Sequence, residues 1–393
     1  MDDNRILSER IREVPPFHPP VRPVPTPETI IFDGGLPDPV THPITDIAEL
    51  TAAIVAGNEP KIMGYTYEMG DIPLREQIAA RHGGGLTADS IVLTNGCAGA
   101  IALTALALLE PGDVVITETL SWGGALKAFR QMGAEIVAVP MDAGGLDTHV
   151  LADTLERLRR EGRRVKLLYT ISTCHNPAGV SLSAERRKKV LRLLEPHGTL
   201  VVQDDTYGEL SYSEPPPSFL SLAPERAIHM GSFSKTIAPG IRVGWIATNA
   251  RLAEALGRAR VDLGNSPIFQ RFVARFIADG RYDQHLAEIR PFYRRKRDVM
   301  LGLLDRHCAG LGEWTRPEGG FFIWMKLACG DAAKALDAAR KENVSFLPGS
   351  QFSAAEPHAD HLRLGYGILN EGRFEEGIIR LGRALSQAAN EPA

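Results

Sequence analysis

Few of the features that mark common protein functions occur in this chain. Its 393 residues include only four cysteines, Cys97, Cys174, Cys308 and Cys329, with no C-x-x-C pair and no metal-ligand spacing. That excludes a disulfide frame and a zinc ribbon, and it fits a reducing cytoplasm. There is no H-E-x-x-H for zinc hydrolysis, and His358 and His361 read as loop polarity. No G-x-G-x-x-G opens a helix after a strand, so dinucleotide binding is unsupported. In "FSKT" the residue before Lys235 is Ser234, where a phosphate-binding P-loop needs glycine. A surplus of positive charge is also missing. The net charge is -4 with no long basic run, which argues against a general nucleic-acid or anionic-membrane surface. The longest apolar stretch, "AGAIALTALALLEPGDVVI", is broken by Glu110-Pro111-Gly112-Asp113 and reads as a helix and then a strand, not a membrane span. The polar, acidic start "MDDNRILSER" is neither a signal peptide nor a transit peptide.

What is present is a regular alternation. Apolar residues make up 44% and charged residues 23%, so a chain of this length can bury a large core in two or three units. Residues 1–30 are proline-rich and predict an extended arm. From about Leu74, helical runs ("LREQIAARHG", "CAGAIALTALALLE", "GGALKAFRQMG", "DTHVLADTLERLRREG", "SAERRKKVLRLLEPHG") alternate with short β-rich runs ("SIVLTNG", "DVVITE", "AEIVAVP", "VKLLYT", "TLVVQDD", "AIHMGS", "VGWIAT"). This rhythm predicts an α/β fold, a mostly parallel sheet sandwiched by helices. In such sheets the ligand sits outside the carboxyl ends of the strands. The loops "TNGCAG", "ETLSWGG", "YTISTCHNPAG", "QDDTYG" and "GSFSK" should therefore converge on one site. From Pro291 onward the composition changes, and a long charged helix runs through "PFYRRKRDVMLGLLDRH". Strand-like "GGFFIWMKL", "VSFLPG" and "HLRLGYG" then suggest a smaller α+β domain.

The most informative fragment is "GSFSKTIAPGIRVGW". A solvated turn lysine would account for Lys235 alone, but not for Ser232, Ser234 and Arg242 beside it. Together with "YTYEMGDIPLREQIA", "NPAGVSL", "DDTYGEL", "PEGGFFIWM" and "LRLGYG", in that order along the chain, it resembles the fold-type I, pyridoxal-phosphate-dependent aminotransferase family, class I/II. The branch it looks most like includes the aminoadipate and kynurenine aminotransferases. The resemblance implies an arm and part of a small domain over 1–45, a large cofactor-binding domain over 46–290 and a small C-terminal domain over 291–393.

It also implies roles. Lys235 would form the Schiff base with pyridoxal 5′-phosphate and carry the proton in catalysis. Asp204 would pair with the pyridine nitrogen, since the D-x-x-Y spacing to Tyr207 favours it over Asp205. Tyr207 and Asn176 would bond the phenolic oxygen. Ser232, Ser234, Arg242 and the helix start Gly96-Cys97-Ala98 would hold the phosphate, joined by Tyr65 from a neighbouring subunit of a homodimer. A packed aromatic is the other reading of Tyr65. Trp122 would stack on the cofactor or else serve the core. Arg363 would clamp the substrate carboxylate, with Gly35 approaching from its "GGLP" turn.

Some positions depart from the family's pattern. Cys97, Ala98 and Gly99 replace a polar pair after the phosphate-loop glycine, and Trp122 stands where tyrosine is common. Cys174-His175 precedes Asn176, where glutamine is frequent at the second place. His175 is either a substrate-facing acid or base or a loop residue bonded to backbone. Cys97 and Cys174 read as small packing residues. The expected activity is transamination of an amino acid with a 2-oxo acid in the cytoplasm, without metal, membrane or nucleic acid. The altered loops keep open β/γ-elimination, replacement or oxidative chemistry on the same scaffold. A cofactor-binding regulatory domain would call for a helix-turn-helix ahead of this region, where the chain has its proline-rich arm.

Overall fold

The computed structural model describes residues 26–57, 62–66, 68–355 and 357–390, together with Ile6, Ser8 and Ile11. The proline-rich arm thus lies largely outside the described residues.

The β-rich runs form β1 (Ile91–Asn95), β2 (Val114–Glu118), β3 (Glu135–Val139), β4 (Val165–Thr170), β5 (Leu200–Asp204), β6 (Ala227–Ser232) and β7 (Val243–Ala247). They make one seven-stranded sheet in the order β1-β7-β6-β5-β4-β2-β3. All neighbours run parallel except β7, which is antiparallel to both β1 and β6. Successive side chains on a strand point to opposite faces, and the sequence supplies apolar groups for both. Val114 and Ile116 enter one hydrophobic cluster while Val115 enters another; Ile91 and Leu93 are divided from Val92 in the same way. The helix Thr148–Arg160 packs Leu151, Leu155 and Leu158 into the first cluster. The helix Gly96–Leu108 packs Ala100, Ile101 and Leu103 into the second. Each fully buried aliphatic side chain contributes roughly 1.5–3 kcal/mol, so a sheet covered on both faces is strongly favoured.

A second sheet is antiparallel, with β8 (Gly312–Trp314), β9 (Phe322–Leu327), β10 (Leu347–Pro348) and β11 (His361–Gly365) in the order β8-β9-β11-β10. A short parallel pair, Ile30–Ile31 with Val344–Ser345, attaches the early chain to this part, and Phe32 is buried in its core.

The long helix differs from its prediction. It begins ten residues earlier than "PFYRRK" suggests and spans Arg281–His307, with Pro291 inside it. The expected domain boundary at 290/291 therefore falls mid-helix. Packing gives the reason: Tyr282, Leu286, Ile289 and Tyr293 join the large-sheet core, whereas Met300, Leu303 and Leu304 join the small-sheet core. Backbone bridges Leu120–Ser353 and Ser211–Gly319 also join the two parts.

Candidate active site

A cavity of about 260 Å3 lies at the carboxyl ends of β2, β4, β5 and β6. Residues from all the loops expected to converge line it, among them Cys97, Trp122, Asn176, Asp204 and Lys235.

Lys235 sits on the turn after β6. Phe233 and Ile237, each about 1% exposed, anchor the turn in the core, and the Ile237 N–H closes it on the Phe233 carbonyl at 2.8 Å. The lysine between them is directed into the cavity. Its Nζ donates to the Gly35 carbonyl at 2.7 Å and lies 5.7 Å from the centroid of the Tyr207 ring. Burial, reinforced by the Arg363 and Arg242 cations, lowers the amine from its ordinary 10.5 to about 8. A neutral, nucleophilic amine is thus within reach near physiological pH.

Asp204 ends β5 and is buried. Its Oδ2 accepts from Tyr169 Oη at 2.7 Å, and its Oδ1 accepts from the Thr206 hydroxyl at 2.7 Å and N–H at 3.1 Å. The Cys97 thiol also donates to Oδ1, at 3.4 Å. Burial, with Asp204 adding to it, pushes that thiol well above its usual range, so Cys97 is a weak donor and not a nucleophile. Asp205 belongs elsewhere. It does not line this cavity; its Oδ2 lies 3.6 Å from His229 Nε2, and burial raises its carboxyl. Of the adjacent pair, Asp204, the last residue of β5, lines the cavity, and Asp205, just beyond the strand, does not.

Ser232, Ser234 and Arg242 also line the cavity. The Ser234 N–H donates to Ser232 Oγ at 3.2 Å, and the two hydroxyls are 3.0 Å apart. Arg242 adopts φ 53°, a left-handed conformation unusual outside glycine, and its Nη2 donates to the Asn95 carbonyl at 2.7 Å. Gly96, at φ 69°, opens the helix that follows β1. A Cβ there would come within 2.9 Å of Arg242 Nη2, so only glycine lets the guanidinium lie across the helix start. Two hydroxyls, a guanidinium and the helix N-terminus, with Cys97 and Ala98 in its first turn, form a donor set suited to a phosphate.

Tyr207 packs edge-on to Phe321 and Phe322, and burial raises its hydroxyl above the ordinary range. Trp122 lines the cavity, and a Cβ on Gly124 would overlap its indole ring. Arg363 comes from the middle of β11. Leu362 and Leu364 enter the small-sheet core, so the arginine between them faces the other way. Its Nη1 donates to Asn176 Oδ1 at 2.8 Å and its Nη2 to the Asp33 carbonyl at 2.7 Å. A Cβ on Gly35 would lie 3.0 Å from Phe322 Cζ, which accounts for glycine at that close approach.

Gly96, Gly35 and Arg363 do not line the cavity themselves but touch Arg242, Lys235 and Asn176, which do, whereas His175 and Tyr65 lie elsewhere. His175 is fully buried, outside the cavity lining, with Nδ1 accepting from the Ala178 N–H at 3.3 Å. Burial lowers it to about 3, so it is a neutral residue bonded within its own loop. Tyr65 is 68% exposed and stands outside the cavity of its own chain. Sequence reasoning missed Tyr169, Thr206, Phe322 and Phe352. Of these, only Thr206, inside "DDTYG" beside Asp204, carried a local signal.

The profile of the family aminotransferase class I and II matches residues 34–381. This chain belongs to that family and is an aminotransferase acting on amino acids. It is similar to aromatic-amino-acid aminotransferase 1 of Thermococcus litoralis, 34% identical, covering 93% of this chain and 89% of that one. It is also similar to the 2-aminoadipate transaminase of Thermus thermophilus, 34% identical over 91% and 90% of the two chains. Among solved structures, kynurenine aminotransferase of Pyrococcus horikoshii superposes with a TM-score of 0.92 at 33% identity, covering 99% of each chain.

Proposed function

We propose that this aminotransferase binds pyridoxal 5′-phosphate in the cavity and uses it, tethered through Lys235, to exchange amine between an amino acid and a 2-oxo acid. The observation that carries the reading is a lysine amine lowered to about 8 between a buried carboxylate and a phosphate-type donor set in one cavity. When bound, the cofactor supplies an aldehyde for amine exchange and a pyridine ring that accepts electron density.

The chain's own groups then divide the work. Ser232, Ser234, Arg242 and the N–H groups of the Gly96-Cys97-Ala98 helix start would hold the phosphate. Asp204, oriented by Tyr169 and Thr206, would hold the ring nitrogen. Tyr207 and Asn176 would hold the phenolic oxygen, and Trp122 would cover the ring. Arg363 would take the substrate carboxylate, and the Lys235 amine would move the proton at the substrate α-carbon.

A homodimer completes this reading. Tyr65 (68% exposed) and Met63 (77%) expose apolar side chains on the 62–66 segment, and Leu36 is 43% exposed in the cavity lining. A second copy would cover that surface and bring its Tyr65 to the phosphate. The three-part division of the chain and a cytoplasmic location belong to the same proposal. Among the described residues no helix is long and apolar enough to cross a membrane. Of the two altered loops behind the elimination or oxidative alternative, Cys174-His175 lies off the cavity lining while Cys97-Ala98 lines it, so it is the likeness to known aminotransferases that favours transamination.

The test is to load the protein with cofactor, mix it with single amino acids and follow the visible absorbance while products are identified by mass spectrometry. Conversion to the pyridoxamine form with release of a 2-oxo acid supports the proposal. Failure with every donor, or loss of a side-chain group without amine transfer, overturns it.

A further inference from the structure

The sequence of β11 explains which way Arg363 points but not what fixes its guanidinium plane. Beyond Asn176 and the Asp33 carbonyl, two aromatic rings hold it, with Cζ 4.0 Å from the Phe322 centroid and 4.7 Å from that of Phe352. Phe322 belongs to β9, directly beside β11. Phe352 comes from the short helical turn Gly349–Phe352 and is itself held between the two sheets. It is 5% exposed and packs with Leu120, Ala178 and Trp324, its ring edge-on to the indole at 5.9 Å.

Its backbone is tied just as closely. The Ser121 N–H donates to the Phe352 carbonyl at 2.8 Å, and the Ala354 N–H donates to the Thr119 carbonyl at 2.8 Å. Leu120 and Ser353 pair as an antiparallel bridge between these bonds. The next residue of that large-sheet loop is Trp122, which lines the cavity. One phenylalanine thus lies against the guanidinium while hydrogen-bonded to the loop that carries the cavity's indole.

We propose that Phe352 is a positioning residue for the substrate carboxylate, its ring fixing the Arg363 guanidinium and its backbone holding that ring in register with the Trp122 loop. A guanidinium packed on aromatic faces keeps its planar fork oriented, because the rings contact its face and not its N–H edge. This rests on the reading that Arg363 takes the substrate carboxylate. Phe352 does not line the cofactor cavity, so its effect should fall on carboxylate affinity and spare the cofactor.

The experiment uses cofactor-loaded protein and two unreactive carboxylates, 3-phenylpropionate and glutarate, with binding measured by calorimetry. Pyridoxal 5′-phosphate affinity is measured separately on cofactor-free protein. Phe352→Leu should weaken the tighter-binding carboxylate about tenfold and change cofactor affinity by less than about twofold, while Phe352→Tyr should restore wild-type carboxylate binding. Phe352→Met, which keeps bulk without a ring, replaces the leucine variant if that one does not fold. The proposal is overturned if the ringless variant binds as tightly as wild type, if cofactor affinity falls with it, or if wild type binds neither carboxylate. Failure of transamination itself would show in the amino-donor screen and leaves this readout unchanged, so the two ideas can fail separately.

Discussion

The large sheet delivers its groups to the cavity from the ends of strands, whereas the small sheet delivers Arg363 from the middle of one. Asp204, Ser232 and the Gly96 helix start all stand where a parallel strand gives way to a loop. Turns there can be shaped freely: Arg242 accepts a left-handed conformation, and Gly96 yields space to it. Arg363 has no such freedom. Its place is set by pairing opposite Trp324 and Leu347, and its plane by Asn176, Asp33 and two phenylalanine rings. One region shapes its ligands by loop geometry and the other by strand register and packing.

The contrast can be broken most severely at Lys235. Lys235→Ala should lower turnover about a thousandfold or more, read as single-turnover amine transfer, with folding unchanged by circular dichroism. Survival of turnover within tenfold of wild type would remove the lysine from the chemistry. A finer test sets the adjacent carboxylates against each other. Asp204→Asn should weaken cofactor binding about 10- to 100-fold, the usual cost of losing a charged hydrogen bond, while Asp205→Asn should change it by less than about threefold. Equal losses would mean that the cavity does not separate the two carboxylates as described.

On the small-sheet side, Arg363→Lys should raise KM for the amino acid about 10- to 100-fold, because an ammonium cannot copy the planar fork. Cofactor affinity should hold. The two sides also meet electrostatically at the lysine, which allows a milder test. Since its amine is lowered to about 8, the neutral form that captures aldehyde predominates above pH 8 instead of only above 10.5. Capture of pyridoxal phosphate by the cofactor-free protein, followed by absorbance, should therefore rise with pH through a midpoint near 8. Arg363→Gln removes a cation that disfavours the charged amine, so it should move that midpoint upward. An unmoved midpoint would separate the two regions more completely than the geometry implies.

This difference also explains what could be read from the sequence. Strand-end loops are dense in special residues, so "GSFSKTIAPGIR" and "DDTYG" expose their chemistry, and the two-sided burial of strands such as "DVVITE" foretells the large sheet. Asp204 and Asp205 are separable in the sequence only by spacing, and only Asp204 lines the cavity. Phe322 and Phe352 look like ordinary core aromatics, since nothing local reveals that a guanidinium rests on them. His175 shows the opposite failure: a titratable residue beside Asn176 invites a catalytic role that complete burial removes. The extent of the long helix was hidden because Pro291 and a change of composition coincide inside it, while its two halves serve different cores.

The account stands most directly on the tether. Borohydride reduction of the cofactor-loaded protein, followed by peptide mass mapping, should place one reduced phosphopyridoxyl group on Lys235 and none on other lysines. A modified peptide elsewhere, or no stable adduct at Lys235 after cofactor is supplied, would contradict it.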